Sequence, residues 1–458
     1  MSELPPPPNR SYAGTKATAP GPTGPQMLRQ FNAVSRDPLQ YLQDVWQQYG
    51  DVVQFPVPRP PSYLVNDPAA VREVLVGNWR NYTKSTIQYR SLSLVTGEGL
   101  LTADYDSWRR QRPLVQPAFH RETLAAVAAQ AGIVGERLRE EWRGLDADAV
   151  VDVDAAMMKS ALEVVGLALF GTDFTLDSHR LTRATLSALE VVVDRARPRL
   201  PMPEWLPTRS NRKLHWAVAE LDGAVRQILE QRGEQPGASG NMVDLLLAAR
   251  DESGGGLAAG EVRDQLVTFI VAGHETVASA LTWSWALLAE HPEVQRRLAE
   301  EARAVLSGRP PQFEDFAQLP YARAVMDEAL RLYPPAWLIT RKSVEGAELG
   351  GREVHPGSLI IMSPWLLHRH PEVWDNADAF DPERFLDKRF EREFFLPFGA
   401  GLRQCIGKDF AYVEGVLLLA MFAAEFELLP VAGAGMPRRV PQVTVRPPAG
   451  LPLRVRRR

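Results

Sequence analysis

Apolar and polar positions along the 458 residues change period several times, and the changes outline a mostly helical chain. From about residue 38 to 49 the apolar spacing is helical. "DVVQFPV" and "SYLVN" then read as short strands separated by Pro-rich turns. Residues 107 to 310 are predominantly helical, with breaks at "RPRLPMPEWLPTRSN", "QRGEQPGASGN" and "SGGG" (Ser253 to Gly256). The next segment, "GEVRDQLVTFIVAGHETVASALTWSWALLAEHP", runs without proline to Pro292. At about 1.5 Å per residue it predicts a rod near 45 Å long. It is apolar on most faces, the pattern of a buried central helix. "LPYARAVMDEALRLYPP" predicts a second helix that stops at Pro334 and Pro335. Short strands and turns are expected over roughly 336 to 395. A last long helix follows, and the tail "VTVRPPAGLPLRV" has the look of a small hairpin. No internal repeat is visible.

Composition narrows the function. A net charge of -4 argues against nucleic-acid binding as the main task, because counterion release needs a basic surface. The N-terminus, "MSELPPPPNRSYAGTKATAPGPTGPQ", has no apolar stretch of the kind a signal peptide requires. Its seven prolines in 25 residues predict a disordered, extended lead-in over residues 1–25. No uninterrupted apolar run reaches the ~18 residues of a membrane span; the longest, "GVLLLAMFAA" (Gly415 to Ala424), suits a core helix. These features predict a cytoplasmic protein without a membrane anchor. By length alone, two or three domains are expected.

The chain has one cysteine, Cys405, within "FLPFGAGLRQCIG". A lone cysteine forms no intrachain disulfide, and a thiol without neighbouring His or Cys is a poor zinc site. The alternatives are a buried small hydrophobe and a thiolate presented to one large ligand. Phe398, Gly401, Arg403, Cys405 and Gly407 spell F-x-x-G-x-R-x-C-x-G. Given the cysteine, chance placement of the other four is about one in 10^5 at ordinary residue frequencies. Glycines at 399, 401 and 407 would let the backbone turn tightly around the sulfur. A helix starting just after Cys405 would lower the thiol pKa. Phe398 can shield the sulfur, and Arg403 offers a charged donor.

On these residues the chain resembles the cytochrome P-450 superfamily, the haem-thiolate monooxygenases, whose corresponding loop carries the axial ligand of the haem iron. The resemblance implies that Cys405 is that ligand and that the cofactor is haem b. It implies a mainly α fold with a minor β region, a triangular prism with a long central helix over haem. A single haem domain over 26–458 then replaces the multi-domain expectation.

Other stretches agree with the resemblance. "AGHET" (Ala272 to Thr276) matches the family's oxygen-activation motif, in which Gly273 and the Thr276 hydroxyl open a helical turn and Glu275 and Thr276 relay protons. His274 occupies a variable position and is expected to be packed or hydrogen-bonded rather than a ligand. Glu328 and Arg331 form E-x-x-R, a spacing that also occurs at Glu136/Arg139, Glu140/Arg143, Glu293/Arg296 and Glu300/Arg303. With Arg384 in "DAFDPERF", the resemblance implies a buried structural charge network. Haem propionates need cationic donors: Trp108 and Arg112, four apart in "SWRRQR", together with Arg341 and Arg403, take that role by resemblance. Arg109 and Arg110 are read as surface charges available to an acidic redox partner.

The implied chemistry is insertion of one oxygen atom from O2 into a hydrophobic small molecule, a terpenoid, fatty acid or polyketide intermediate. The chain ends 53 residues after Cys405, so electrons are expected from a separate ferredoxin and ferredoxin reductase. Substrate contacts are assigned by analogy to Ile87, Leu92, Leu94, Val95, Phe269, Ala272, "AWLI" (Ala336 to Ile339, including Leu338) and Val443. Arg59 and Tyr63 loosely resemble the carboxylate anchor of bacterial fatty-acid hydroxylases in this family. Two other classes compete: a peroxide-driven peroxygenase, against which Glu275 and Thr276 argue, and a non-catalytic haem carrier or sensor, for which a proton relay would be superfluous.

Overall fold

The computed structural model describes residues 17–56, 60–196, 203, 205–234, 241–250, 254–387 and 394–458. The chain forms two compact units, each assembled from several stretches of sequence.

The first unit comprises residues 1–89, 336–379 and 390–405. Its frame is a five-stranded mixed sheet in the order Val52–Phe55, Ser62–Val65, Leu359–Met362, Ile339–Ser343, Tyr82–Thr83. Ser62–Val65 and Leu359–Met362 run parallel, with Tyr63 opposite Ile360; the other neighbours are antiparallel. The strands Val52–Phe55 and Ser62–Val65 are buried throughout, which explains their near-continuous apolar character. Tyr63, Val65, Val71, Val74, Val354 and Met362 form the unit's core.

The lead-in expected to be disordered through residue 25 gives way earlier. The N–H groups of Thr18 and Ala19 donate to Gln54 Oε1 at 2.7 and 3.2 Å, Ala19 is buried, and a helix begins at Gly24. These bonds fix the chain seven residues before the point at which the proline count implied order.

The second unit comprises residues 90–335, 380–389 and 406–458 and is dominated by helices. Its central helix, Ala259–Glu290, is 32 residues long, about 48 Å at the α-helical rise. At its start the Glu261 carboxylate accepts the Ala258 N–H, and Pro292 opens the helix that follows. Helices Val153–Val165, Pro320–Leu332 and Lys408–Glu425 pack against it. Among the described residues it is the one helix long and apolar enough to cross a membrane, and 83% of that apolar window is buried in the fold. Its hydrophobicity therefore follows from being surrounded by other helices.

The C-terminal tail differs from the hairpin read from its sequence. Val440–Pro441 pairs with Val445–Arg446 in a short antiparallel hairpin. Pro452–Arg457 instead joins a separate sheet, between Ala149–Asp152 and Phe426–Pro430. A long-range partner wins because Leu453 and Val455 can bury themselves there. The two prolines at 447 and 448 also interrupt a continuous hairpin.

Candidate active site

In the first unit, the loop before Cys405 is closed by backbone bonds. The Cys405 N–H donates to the Phe398 carbonyl (2.9 Å), Gly399 N–H to Leu396 O (3.0 Å) and Gln404 N–H to Gly401 O (3.0 Å). His368 Nε2 accepts the Leu396 N–H at 2.9 Å and fixes the loop's entry. Gly399 and Gly401 have φ of +67° and +68°, where a side chain is strained. At Gly401 a Cβ would also lie 2.2 Å from the Leu75 carbonyl oxygen. Gly407 has a φ of -86°, so the third glycine is not required by its backbone angle, contrary to the sequence reading.

Cys405 is exposed, with Phe398 and Arg403 half-buried beside it in sequence. The small-hydrophobe alternative required a buried sulfur. Arg341 is 7% exposed on the strand Ile339–Ser343, and its Nη1 donates to Thr340 O (2.8 Å) and to the Tyr89 hydroxyl (3.4 Å). Both acceptors are neutral. Among the described residues no carboxylate pairs with it, an unfavourable position for a buried guanidinium, so Arg341 fits a site that receives an anionic group. Of the substrate candidates in this unit, Ile87 and Ala336 are exposed and Leu338 and Ile339 half-buried.

In the second unit, the central helix carries "AGHET" without a break in its α-helical course. The expected opened turn is absent; instead Thr276 Oγ1 donates to the Ala272 carbonyl at 2.7 Å, one turn back. Ala272, Gly273 and Thr276 are half-buried, whereas His274 and Glu275 are buried. His274 Nδ1 lies 2.7 Å from the Ile270 carbonyl, Nε2 has no partner, and burial holds the ring's pKa down at about 4. His274 is therefore a neutral packed side chain. Glu275 Oε1 accepts the Thr444 hydroxyl at 2.8 Å, and burial pushes its carboxyl up to about 7 against the pull of Arg446 and that hydrogen bond.

Trp108 is buried and Arg112 half-buried on the helix Tyr105–Val115. That helix is tied to the central one: Gln265 Nε2 donates to Gln111 Oε1 (2.9 Å), and Gln265 Oε1 accepts the Leu100 N–H (3.1 Å). Arg109 is exposed. Arg110, read as a free surface charge, is half-buried and paired with Glu261 at the start of the central helix. Leu92, Val95 and Phe269 are buried, and Leu94 and Val443 half-buried. Phe269 packs against Phe119 with ring centroids 5.4 Å apart.

Glu328 receives a bidentate Arg331 (2.7 and 2.8 Å), Arg384 Nε (3.0 Å) and the Asp381 N–H (2.9 Å). Glu328 and Arg331 have no exposed surface. This density of donors separates the Glu328 pair from others with the same spacing, such as Glu136/Arg139, which is partly exposed.

Arg59, proposed as half of a carboxylate anchor, lies outside the described residues. Its companion Tyr63 is fully buried with its hydroxyl 2.9 Å from Thr18 Oγ1, so it is committed to the fold. Sequence reading missed Thr444, Arg446 and Asp154, which surround Glu275, and Glu414, a fully buried acid with both carboxyl oxygens unpartnered. Only Glu414 left a local signal, as an acid in the apolar run "AYVEGVLLLAMFAA".

Comparison with known proteins identifies the family. The cytochrome P450 family profile matches residues 19–453, and the chain belongs to that family. It is a haem-iron monooxygenase that uses O2, electrons from redox partners and a hydrophobic substrate. Among similar proteins are cyclooctatin synthase of Streptomyces melanosporofaciens, 37% identical over 90% of each chain, and cyclooctat-9-en-7-ol 5-monooxygenase of the same organism, 37% identical over 93% of this chain and 92% of that one. Pentalenene oxygenase of Streptomyces avermitilis is 34% identical over 92% of this chain and 93% of its own.

Proposed function

We propose that this protein is a cytoplasmic terpenoid hydroxylase in which Cys405 is the axial ligand of haem b. The observation that carries the assignment is the exposed Cys405 thiol on a loop whose turns at Gly399 and Gly401 only glycine tolerates without strain. The bound haem supplies oxygen activation, which a thiolate ligand favours by pushing electron density toward O–O cleavage. This chain's own residues do the rest. Arg341, Arg112, Arg403 and Trp108 would hold the propionates, and Phe398 would shield the sulfur. Thr276 and Glu275 handle protons on the central helix, and Glu328, Arg331 and Arg384 brace the core. Leu94, Val95, Phe269, Ala272, Leu338 and Val443 are the apolar contacts for substrate, with Ile87 and Ala336 at the exposed margin.

A terpenoid is preferred over a fatty acid for two reasons. Similar proteins are named for cyclooctatin-type and pentalenene oxidation, and Tyr63 is unavailable as a carboxylate anchor. Electrons come from a ferredoxin and its reductase.

An optical titration of the ferric protein tests the substrate class. Cyclic sesquiterpenes and diterpenes are expected to shift the Soret band saturably, and long-chain fatty acids are not. A shift with fatty acids alone would overturn the terpenoid assignment. A Cys405→Ala protein that kept the thiolate-type spectrum of its reduced carbon monoxide complex would overturn the ligand assignment. Turnover with peroxide but not with ferredoxin, reductase and NADPH would favour the peroxygenase.

A further inference from the structure

Three consecutive residues of the C-terminal hairpin are fastened to one polar stripe of the central helix and its neighbour. Thr444 Oγ1 donates to Glu275 Oε1 at 2.8 Å. The Val445 carbonyl accepts Ser279 Oγ and Trp283 Nε1, both at 2.8 Å. Arg446 Nη2 donates to Asp154 Oδ2 at 2.5 Å, and Asp154 Oδ1 accepts the Thr282 hydroxyl at 3.0 Å. Positions 275, 279 and 283 are four apart and share one helix face. All of these side chains are buried. Thr276 lies about 100° further round the helix, and its hydroxyl is engaged with Ala272 O. The acid and the alcohol of "AGHET" are therefore held by different partners.

The charged groups around Glu275 are Arg446 from the hairpin and Asp154 from the helix Val153–Val165, with neutral His274 beside it on its own helix. Of the other helices packed on the central one, Lys408–Glu425 carries Glu414, which has no partner among the described residues, and Pro320–Leu332 carries Glu328, held by Arg331 and Arg384, and Asp327, held by the Tyr412 hydroxyl; Arg209–Glu234 and Pro292–Leu306 carry no buried charged side chain among the described residues. An unpaired Arg446 would favour an ionised Glu275, but Asp154 occupies that guanidinium. Among the described residues Glu275 is left with a single neutral donor, and it is buried.

We propose that the hairpin Val440–Arg446 is the positioning element for Glu275: Thr444 fixes the direction of its carboxyl, and the Arg446–Asp154 pair sets the field in which it holds its proton. Thr444, Arg446 and Asp154 are positioning residues. The use of that proton in oxygen activation rests on the monooxygenase reading above. The hold itself does not. Val443, a substrate-contact candidate, adjoins Thr444, so one segment carries both that candidate and the hold on the acid.

The two arms of the hold act in opposite senses, which makes the test specific. Infrared titration of the purified holoprotein follows the protonated carboxyl stretch, assigned to Glu275 by its loss in Glu275→Gln. Thr444→Val removes a donor that favours the carboxylate, so the midpoint should rise by about one pH unit. Thr444→Ser should restore it. Asp154→Asn frees Arg446, so the midpoint should fall. Midpoints that stay at the wild-type value, or move the same way in Thr444→Val and Asp154→Asn, overturn the proposal. Should Asp154→Asn fail to fold, the Val and Ser pair at 444 still decides it. The reduced carbon monoxide spectrum, recorded on the same samples, reports separately on Cys405, so failure of the haem-thiolate reading is distinguishable from failure of the hairpin's hold.

Discussion

Glu328 and Glu275 are both buried carboxylates in the helical unit, and their surroundings are opposite. Glu328 takes four donor bonds, three of them from guanidinium groups. Glu275 takes one, from a neutral hydroxyl, while the nearby Arg446 is engaged by Asp154. Both are buried, and what differs is the number and charge of their donors. A carboxylate saturated by guanidinium groups is a rivet. One left with a lone hydroxyl is a group able to gain and lose a proton near neutrality. Both sit on long helices of one unit, so neither burial nor secondary structure predicts which role an acid takes.

The contrast can be broken most severely at the rivet. Arg331→Leu strands Glu328 in the core, and the unfolding free energy in urea should fall by roughly 3–5 kcal/mol. A loss under 1 kcal/mol would mean the network is not holding the fold.

Next in size is a pH effect at Glu275. Its folded pKa, about 7, lies above the ordinary glutamate value of 4.5. The resulting stability is therefore fully present below about 4.5 and lost as pH rises to about 7, on the order of 3 kcal/mol in total. His274, depressed to about 4, works in the other direction as pH falls from 6.5. Subtracting the Glu275→Gln profile from wild type isolates the first effect. A difference that does not decline across that window would remove the distinction between the two acids.

Glu275→Gln should also lower the coupled rate of product formation by about 100-fold, with NADPH consumption diverted to peroxide. At pH 7 this variant should be no less stable than wild type, because glutamine keeps an acceptor for the Thr444 hydroxyl and has no charge to bury, in contrast to Arg331→Leu. At the small end, Ser279→Ala removes one of two donors to Val445 O and should cost about 1 kcal/mol in thermal or chemical unfolding. An undiminished stability there would weaken the case for a fastened hairpin.

What the sequence disclosed follows the range of each interaction. The Cys405 loop was legible because its residues are adjacent and its glycines answer local backbone demands at 399 and 401. The central helix was legible because its apolar pattern and Pro292 are local signals. Glu328 and Arg331 were legible as a spacing, and only the resemblance, through the stretches "EALRLYPP" and "DAFDPERF", set them above four look-alike pairs, because the burial that distinguishes them has no local signal. Asp154, Thr444 and Arg446 were invisible as a group. Asp154 follows Asp152, whose carboxylate caps the helix by accepting from Asp154 N–H, and in sequence the two acids look like ordinary helix-start residues. Nothing local says that one of them meets Arg446, 292 residues later. The tail was misread for the same reason: Pro452–Arg457 finds its partners at 149–152 and 426–430, far from the turn that suggested a hairpin.

The parallel pairing of Ser62–Val65 with Leu359–Met362 has a consequence for how this protein is made. During synthesis the first strand leaves the ribosome almost 300 residues before its neighbour exists. At ordinary translation rates that is a wait of about 15–60 s. Until then the strand has only Val52–Phe55 beside it, and its other edge offers unpaired backbone groups and buried-type side chains to any passing chain. The helical stretch translated in the interval can begin to pack, while the sheet must wait for Leu359–Met362. Yield in a heterologous host should therefore respond to slower growth or added chaperone more than to promoter strength.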